Sequence, residues 1–123
     1  ASLDVGALCV DKFARWLRAI CTWLLVRNAA PDRAKALGYV EQALEVMRDD
    51  GDNEYPADEK QWLLASTYNT GLQCHSASHL DESKRWFECA IKLCGFVPNG
   101  AERADKISNT YRQLLEKYGS GRA

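Results

Sequence analysis

Apolar residues recur along the chain at intervals of three and four, the spacing that lines one face of an α-helix, and the pattern breaks at short polar or glycine-containing stretches. From Leu3 to Arg27 there is no proline. Phe13, Leu17, Ile20 and Leu24 make one apolar stripe, and Trp16 and Trp23, seven apart, make a neighbouring one. A helix apolar on two sides is expected to be covered on both. Pro31 and Asp32 start a second helix, in which Ala36, Val40, Ala43 and Met47 alternate small and large. The polar run Asp49-Asp50-Gly51-Asp52-Asn53-Glu54 then reads as a loop between two hairpins.

A third helix opens at Pro56, whose fixed φ suits a first turn, with Asp58 and Glu59 at the positive end of the helix dipole. Trp62, Ala65, Tyr68, Asn69 and Leu72 fall along one side of it. A fourth helix begins near Leu80, with Asp81 and Glu82 in its first turn and Ser78 or His79 as caps; Ser83, Phe87, Ala90, Ile91 and Cys94 form its inner face. Only a few residues join these two helices, which forces them to be antiparallel neighbours. A fifth helix starts at Asn99, with Glu102 as its capping-box partner. Its apolar stripe is Ala104, Ile107, Tyr111, Leu114 and Tyr118, its outer face carries Asp105, Lys106, Asn109, Arg112, Gln113 and Glu116, and Gly119-Ser120-Gly121 ends it.

The alternation of bulky and small residues on facing helices resembles the tetratricopeptide repeat. Asn69-Thr70-Gly71 matches the signature of that repeat's first helix, and Phe87 and Ala90 match the aromatic and alanine of its second. Ser83 stands where alanine is usual, and Gly95 where proline often closes the repeat. Ala43 and Ala90 are equivalent in this scheme but stand further apart than the roughly 34 residues of the standard repeat; the acidic loop takes up the excess. The expected fold is all-α: about five helices as antiparallel hairpins in a right-handed superhelical stack. Its parts would be a hairpin over 3–48, an acidic loop over 49–55, a hairpin over 56–95, a capping helix over 99–118 and a tail over 120–123. A terminal cap is needed because an uncovered last repeat exposes its apolar side.

With 123 residues and 46 % hydrophobic content, the composition fits one compact soluble domain with a core. The chain has no initiating methionine and enters helical pattern almost at once, so a piece of a longer protein is expected. No signal peptide is evident, and the longest apolar run, Ala19 to Val26, is broken by Thr22 and is too short to span a membrane. A net charge of −1 gives no broad attraction to nucleic acid. Lys84-Arg85 and Arg103 with Lys106 form at most small local patches, which we read as solvated helix faces.

Asp49 to Glu59 is rich in carboxylates, but an EF-hand register starting at Asp50 would place Tyr55 at the obligatory glycine and Gln61 at the bidentate glutamate. A solvated loop is the expectation. Cys9, Cys21, Cys74, Cys89 and Cys94 are odd in number and lack C-x-x-C spacing, so reduced, buried thiols of an intracellular protein are expected. Cys74, His75 and His79 have a metal-like look, yet the helix is expected to end between the histidines and a fourth ligand is not evident. No metal or other cofactor is expected. There is no phosphate loop, nucleophile elbow or HExxH, and no catalytic residue is assigned.

Tyr55-Pro56, the following acidic residues, Trp62-Leu63, Tyr68-Asn69 with Gly71, Arg85-Trp86 and Ala90-Ile91-Lys92-Leu93 together resemble the meiotic Spo-twenty-two/Zip-four family of tetratricopeptide proteins. The resemblance covers roughly residues 54 to 94; the flanks match only as helical repeats. It implies a piece near the C-terminal end of a nuclear, chromosome-associated scaffold, assembling the crossover-promoting complex and linking recombination sites to the synaptonemal complex. The family's aromatic–asparagine pair maps onto Tyr68-Asn69, where tyrosine replaces the usual tryptophan.

Asn69 has two readings: a partner-facing amide that clamps a peptide backbone, or a bridge to the neighbouring helix that holds the repeat together. The leading expectation is a non-enzymatic scaffold that binds a protein partner, such as a synaptonemal-complex central-element or other crossover-complex protein, through a concave face. Ala65, Tyr68, Asn69, Leu72 and His75 would form that face, continued by Arg18, Cys21, Leu25 and Asn28. The alternatives are a segment that only caps and stiffens a longer solenoid, or a helical nucleic-acid module using Lys84, Arg85, Arg103 and Lys106. Small-molecule substrates and membranes are not expected as partners.

Overall fold

In the computed structural model the described residues are 2–49 and 55–122, with side chains described over 10–49 and 55–117. Five α-helices account for most of them: α1 Ser2–Arg27, α2 Ala30–Asp49, α3 Ala57–Ser76, α4 Leu80–Leu93 and α5 Gly100–Arg122, with a 3-10 turn at Cys94–Phe96. No strand occurs among the described residues, and the fold is all-α as the periodicity predicts. The acidic loop at 50–54 and the side chains of Leu3, Cys9 and Tyr118 lie outside the described residues. The helices group into two compact units that divide within α3, one up to Leu63 and the other from Leu64 onward.

In the first unit α1 and α2 fold back on each other around Asn28 and Ala29. Asn28 adopts φ 54°, the left-handed conformation that commonly ends a helix. The buried Arg33 donates from Nη1 to the Asn28 carbonyl at 2.6 Å and to its Oδ1 at 3.2 Å, closing the turn. Ala14, Leu17, Cys21 and Leu24 are buried on α1, and Ala36, Val40, Ala43 and Met47 are buried on α2. The small residues let the backbones approach, and Cys21 Sγ lies 3.9 Å from the Ala36 carbonyl oxygen.

The second stripe of α1 is not covered as expected. Trp16 is 49 % exposed, edge-on to Tyr39, and Trp23 is 55 % exposed under the guanidinium of Arg27. Pairing with α2 buries one side of α1, and an indole with one face on a neighbour and the other in water is common for so large a ring.

The second unit contains α3 from Leu64 onward, α4 and α5. Cys74 contacts Glu82, Gly71 contacts Ser83 and Tyr68 contacts Phe87, so partners on α4 advance as α3 runs backwards, the signature of an antiparallel pair. Ser78 turns the chain at φ 66°. His79 occupies the N-cap of α4 without a side-chain bond to it, which leaves Asp81 and Glu82 to complement the helix N-terminus. α4 is buried on two sides, through Ser83, Phe87 and Ala90 and through Trp86, Cys89 and Leu93.

Two expectations at the ends of α5 are corrected. Asn99 has φ 58°, whereas a capping box uses an extended residue, and Glu102 instead lies exposed, 3.8 Å from Lys106. The reversal is tight: a Cβ on Gly100 would run into the Cys94 carbonyl. Gly119-Ser120-Gly121 does not end the helix, whose backbone continues to Arg122.

Candidate functional site

α3 has a buried face and a half-exposed one. Leu63, Leu64, Thr67, Thr70, Gly71 and Cys74 are buried, while Trp62, Tyr68 and Leu72 are half-buried and Ala65 and Asn69 are exposed. The stripe singled out from sequence is therefore the side turned toward solvent. Asn69 makes no hydrogen bond among the described residues, so its amide is not spent on a bridge between helices.

Asn69 sits in an open groove of about 660 Å³ between α3 and α5, lined by Leu64, Ala65, Tyr68 and Asn69 on one side and by Arg103, Lys106, Ile107, Asn109, Thr110 and Gln113 on the other. That volume falls in the range of about 300–1,000 Å³ typical of ligand sites. Leu64 and Ile107 are buried and give the groove an apolar floor. Tyr68 is held by Phe87, edge-on with ring centres 5.8 Å apart, and Phe87 in turn stacks on Tyr111 at 4.7 Å. Packing of this kind fixes the Tyr68 ring at the groove wall with little entropy left to lose on binding.

The electrostatics are one-sided. Arg103 and Lys106 line the groove and no carboxylate does. Arg103 also acts on Cys94, whose thiol is pushed up by burial and drawn partly back by the nearby guanidinium. Tyr111, behind Phe87, is likewise pushed up, mainly by burial and further by Glu88. Asn109 Oδ1 accepts a hydrogen bond from Arg112 Nη2 at 2.7 Å, which leaves its NH₂ for other partners.

Three of the expected partner-binding residues, Ala65, Tyr68 and Asn69, come together in this groove. Leu72 and His75 lie further along α3 and are half-buried outside it. Arg18 and Asn28 belong to the first unit. Arg18 donates to Glu59 Oε1 at 3.2 Å and lies 5.2 Å above the Trp62 ring, and Asn28 accepts from Arg33 through both its oxygens. Both are engaged in holding their own unit. The α5 wall is not visible in the apolar pattern, because Lys106, Asn109 and Gln113 read from sequence as an outer solvated face. The sequence holds one signal for it: Asn69-Thr70 on α3 recurs as Asn109-Thr110 on α5.

Among the described residues no three His, Cys, Asp or Glu side chains converge as a metal site. Cys74 is buried and points to Glu82 at 3.7 Å. No helix among the described residues is long and apolar enough to cross a membrane.

No family model matches the chain, and no solved structure does. Among curated proteins it is 25 % identical over 99 residues to 3-phosphoshikimate 1-carboxyvinyltransferase of Kocuria rhizophila, a match over 79 % of this chain and 22 % of that enzyme. The chain thus spans about a fifth of the relative's length, and the likeness is too low to place it in that enzyme's family.

Proposed function

We propose that this chain is a non-catalytic protein-interaction module that binds a protein partner in the α3–α5 groove. The observation that carries the reading is Asn69: an exposed amide without an intramolecular partner among the described residues, beside a packed aromatic ring and over an apolar floor. Placing a solvated amide and a ring together at the mouth of an apolar groove is how a surface recognises a peptide, since the amide reads backbone groups and the floor takes a side chain. By resemblance to the Spo-twenty-two/Zip-four proteins, the partner belongs to a meiotic crossover or synaptonemal-complex assembly on chromosomes in the nucleus. The test is affinity capture from meiotic extract on the whole chain beside its Asn69→Asp variant. A crossover-complex protein retained by the first and lost from the second is the expected result; equal capture by both would refute the assignment of Asn69.

A further inference from the structure

The groove differs from the rest of the molecule in charge and in hydrogen-bonding character. It carries two cations and no carboxylate, on a chain whose net charge is −1. Asn69 on α3 and Asn109 on α5 place amides on both walls, and Gln113 adds a third. A side-chain amide offers two donors and an acceptor. An extended peptide presents an N–H and a C=O at each residue to meet them, whereas a helix consumes its own internally.

We infer that the groove takes an extended, acidic segment of a partner protein. Its carboxylates face Arg103 and Lys106, one apolar side chain rests on the Leu64–Ile107 floor, and its backbone runs between Asn69 and Asn109. The inference rests on the protein-binding reading and adds the chemistry and conformation of what is bound. Lys106 is available for the exchange, because its pairing with Glu102 at 3.8 Å joins two side chains that are 76 % and 70 % exposed, and pairs of that kind hold little. The charge contribution is exposed to solvent and falls with salt. Duplex nucleic acid also seeks cations, but two of them release few counterions, and an amide-lined groove with an apolar floor offers a phosphate backbone little else.

The experiment is selection of displayed random linear peptides on the whole chain. Synthetic copies of the enriched peptides are then titrated against the wild type, Lys106→Glu, Asn69→Ala and Lys84→Glu, the last an exposed α4 cation outside the groove, with a melting curve for each protein. Enriched peptides should carry Asp or Glu around one large apolar residue. They should lose about tenfold or more in affinity when the carboxylates become amides or when Lys106 becomes Glu, and be unmoved by Lys84→Glu. Neutral or basic peptides that still depend on Asn69 would overturn the acidic partner and leave the protein-binding reading standing. Peptides indifferent to both Lys106 and Asn69, or no enrichment at all, would overturn both. Displacement of the peptides by a random DNA duplex at comparable concentration would replace the acidic segment with nucleic acid.

Discussion

Ser83 Oγ donates to the Gly71 carbonyl at 2.9 Å across the α3–α4 interface, and both residues are buried. Where the repeat pattern usually has alanine, this chain keeps the small volume and adds an interhelical hydrogen bond. Gly71 makes the approach possible: a Cβ there would stand 3.3 Å from the Phe87 ring. Ser83→Ala should therefore cost about 1 kcal/mol, the net worth of one neutral hydrogen bond. Ser83→Val adds volume to the same contact and should cost about 1–3 kcal/mol more through overpacking. Urea denaturation of the two variants separates these effects, and equal stability would show that the helices have room to spare.

The tryptophans of the central region should behave differently. Trp86 is 1 % exposed, and Trp86→Ala should cost about 3–5 kcal/mol. Trp62 is half-buried beneath Arg18, so Trp62→Ala should cost well under half as much, mostly lost packing and a cation–π contact of about 0.5–1 kcal/mol. The same denaturation experiment decides it, and a Trp62 loss as large as that of Trp86 would mean that the α3 faces are misassigned.

That contrast shows how far the sequence can be read. α2 and α4 were legible because Ala36, Val40, Ala43 and Met47, and Ser83, Phe87 and Ala90, pack small against large at helical spacing, a pattern that serves only close contact. α3 was legible as a helix but not in which side faces inward. Its buried side includes Thr67 and Thr70, and Thr70 satisfies its hydroxyl on the Ser66 carbonyl at 2.7 Å, so a polar residue goes inside at little cost. Apolar patterning gives no weight to such residues and gives full weight to Trp62 and to Trp16 and Trp23, whose rings are half in water. The α5 wall of the groove escaped for the complementary reason, since exposed Lys106, Asn109 and Gln113 look the same on a solvated face and on a binding one.

Cys21, Cys74, Cys89 and Cys94 are buried thiols that take part in no disulfide among the described residues. An exposed thiol titrates near about 8.5, and burial pushes Cys21 up to about 12. The unfolded chain therefore gives up this proton first. Its contribution to stability is complete below the exposed thiol's range and is lost progressively as pH rises toward about 12. Tyr55 is raised as well, first by burial and then by Glu59 and Cys21, and adds to the loss at higher pH. Melting temperature should hold steady to about pH 8 and fall beyond it, with a shallower fall in Cys21→Ala. An identical slope in that variant would exclude Cys21 as a source of the alkaline loss.

The last prediction places a charge at two positions on α3 that are only two residues apart. Thr67 is fully buried, and its hydroxyl has no partner among the described residues, so Thr67→Asp puts a carboxylate where nothing solvates it. It should cost at least about 3 kcal/mol or prevent folding. Asn69→Asp places the same carboxylate at the groove mouth, on the wall facing Arg103 and Lys106. Stability should stay within about 0.5 kcal/mol of wild type, the usual range for an exposed substitution. Binding is another matter, because the new charge removes two amide donors and repels an acidic segment, so the partner should be lost from a folded protein. Melting curves and a binding titration on the same preparations test this together. A large drop in melting temperature for Asn69→Asp would make Asn69 part of the packing after all and would leave the groove without its recognising amide.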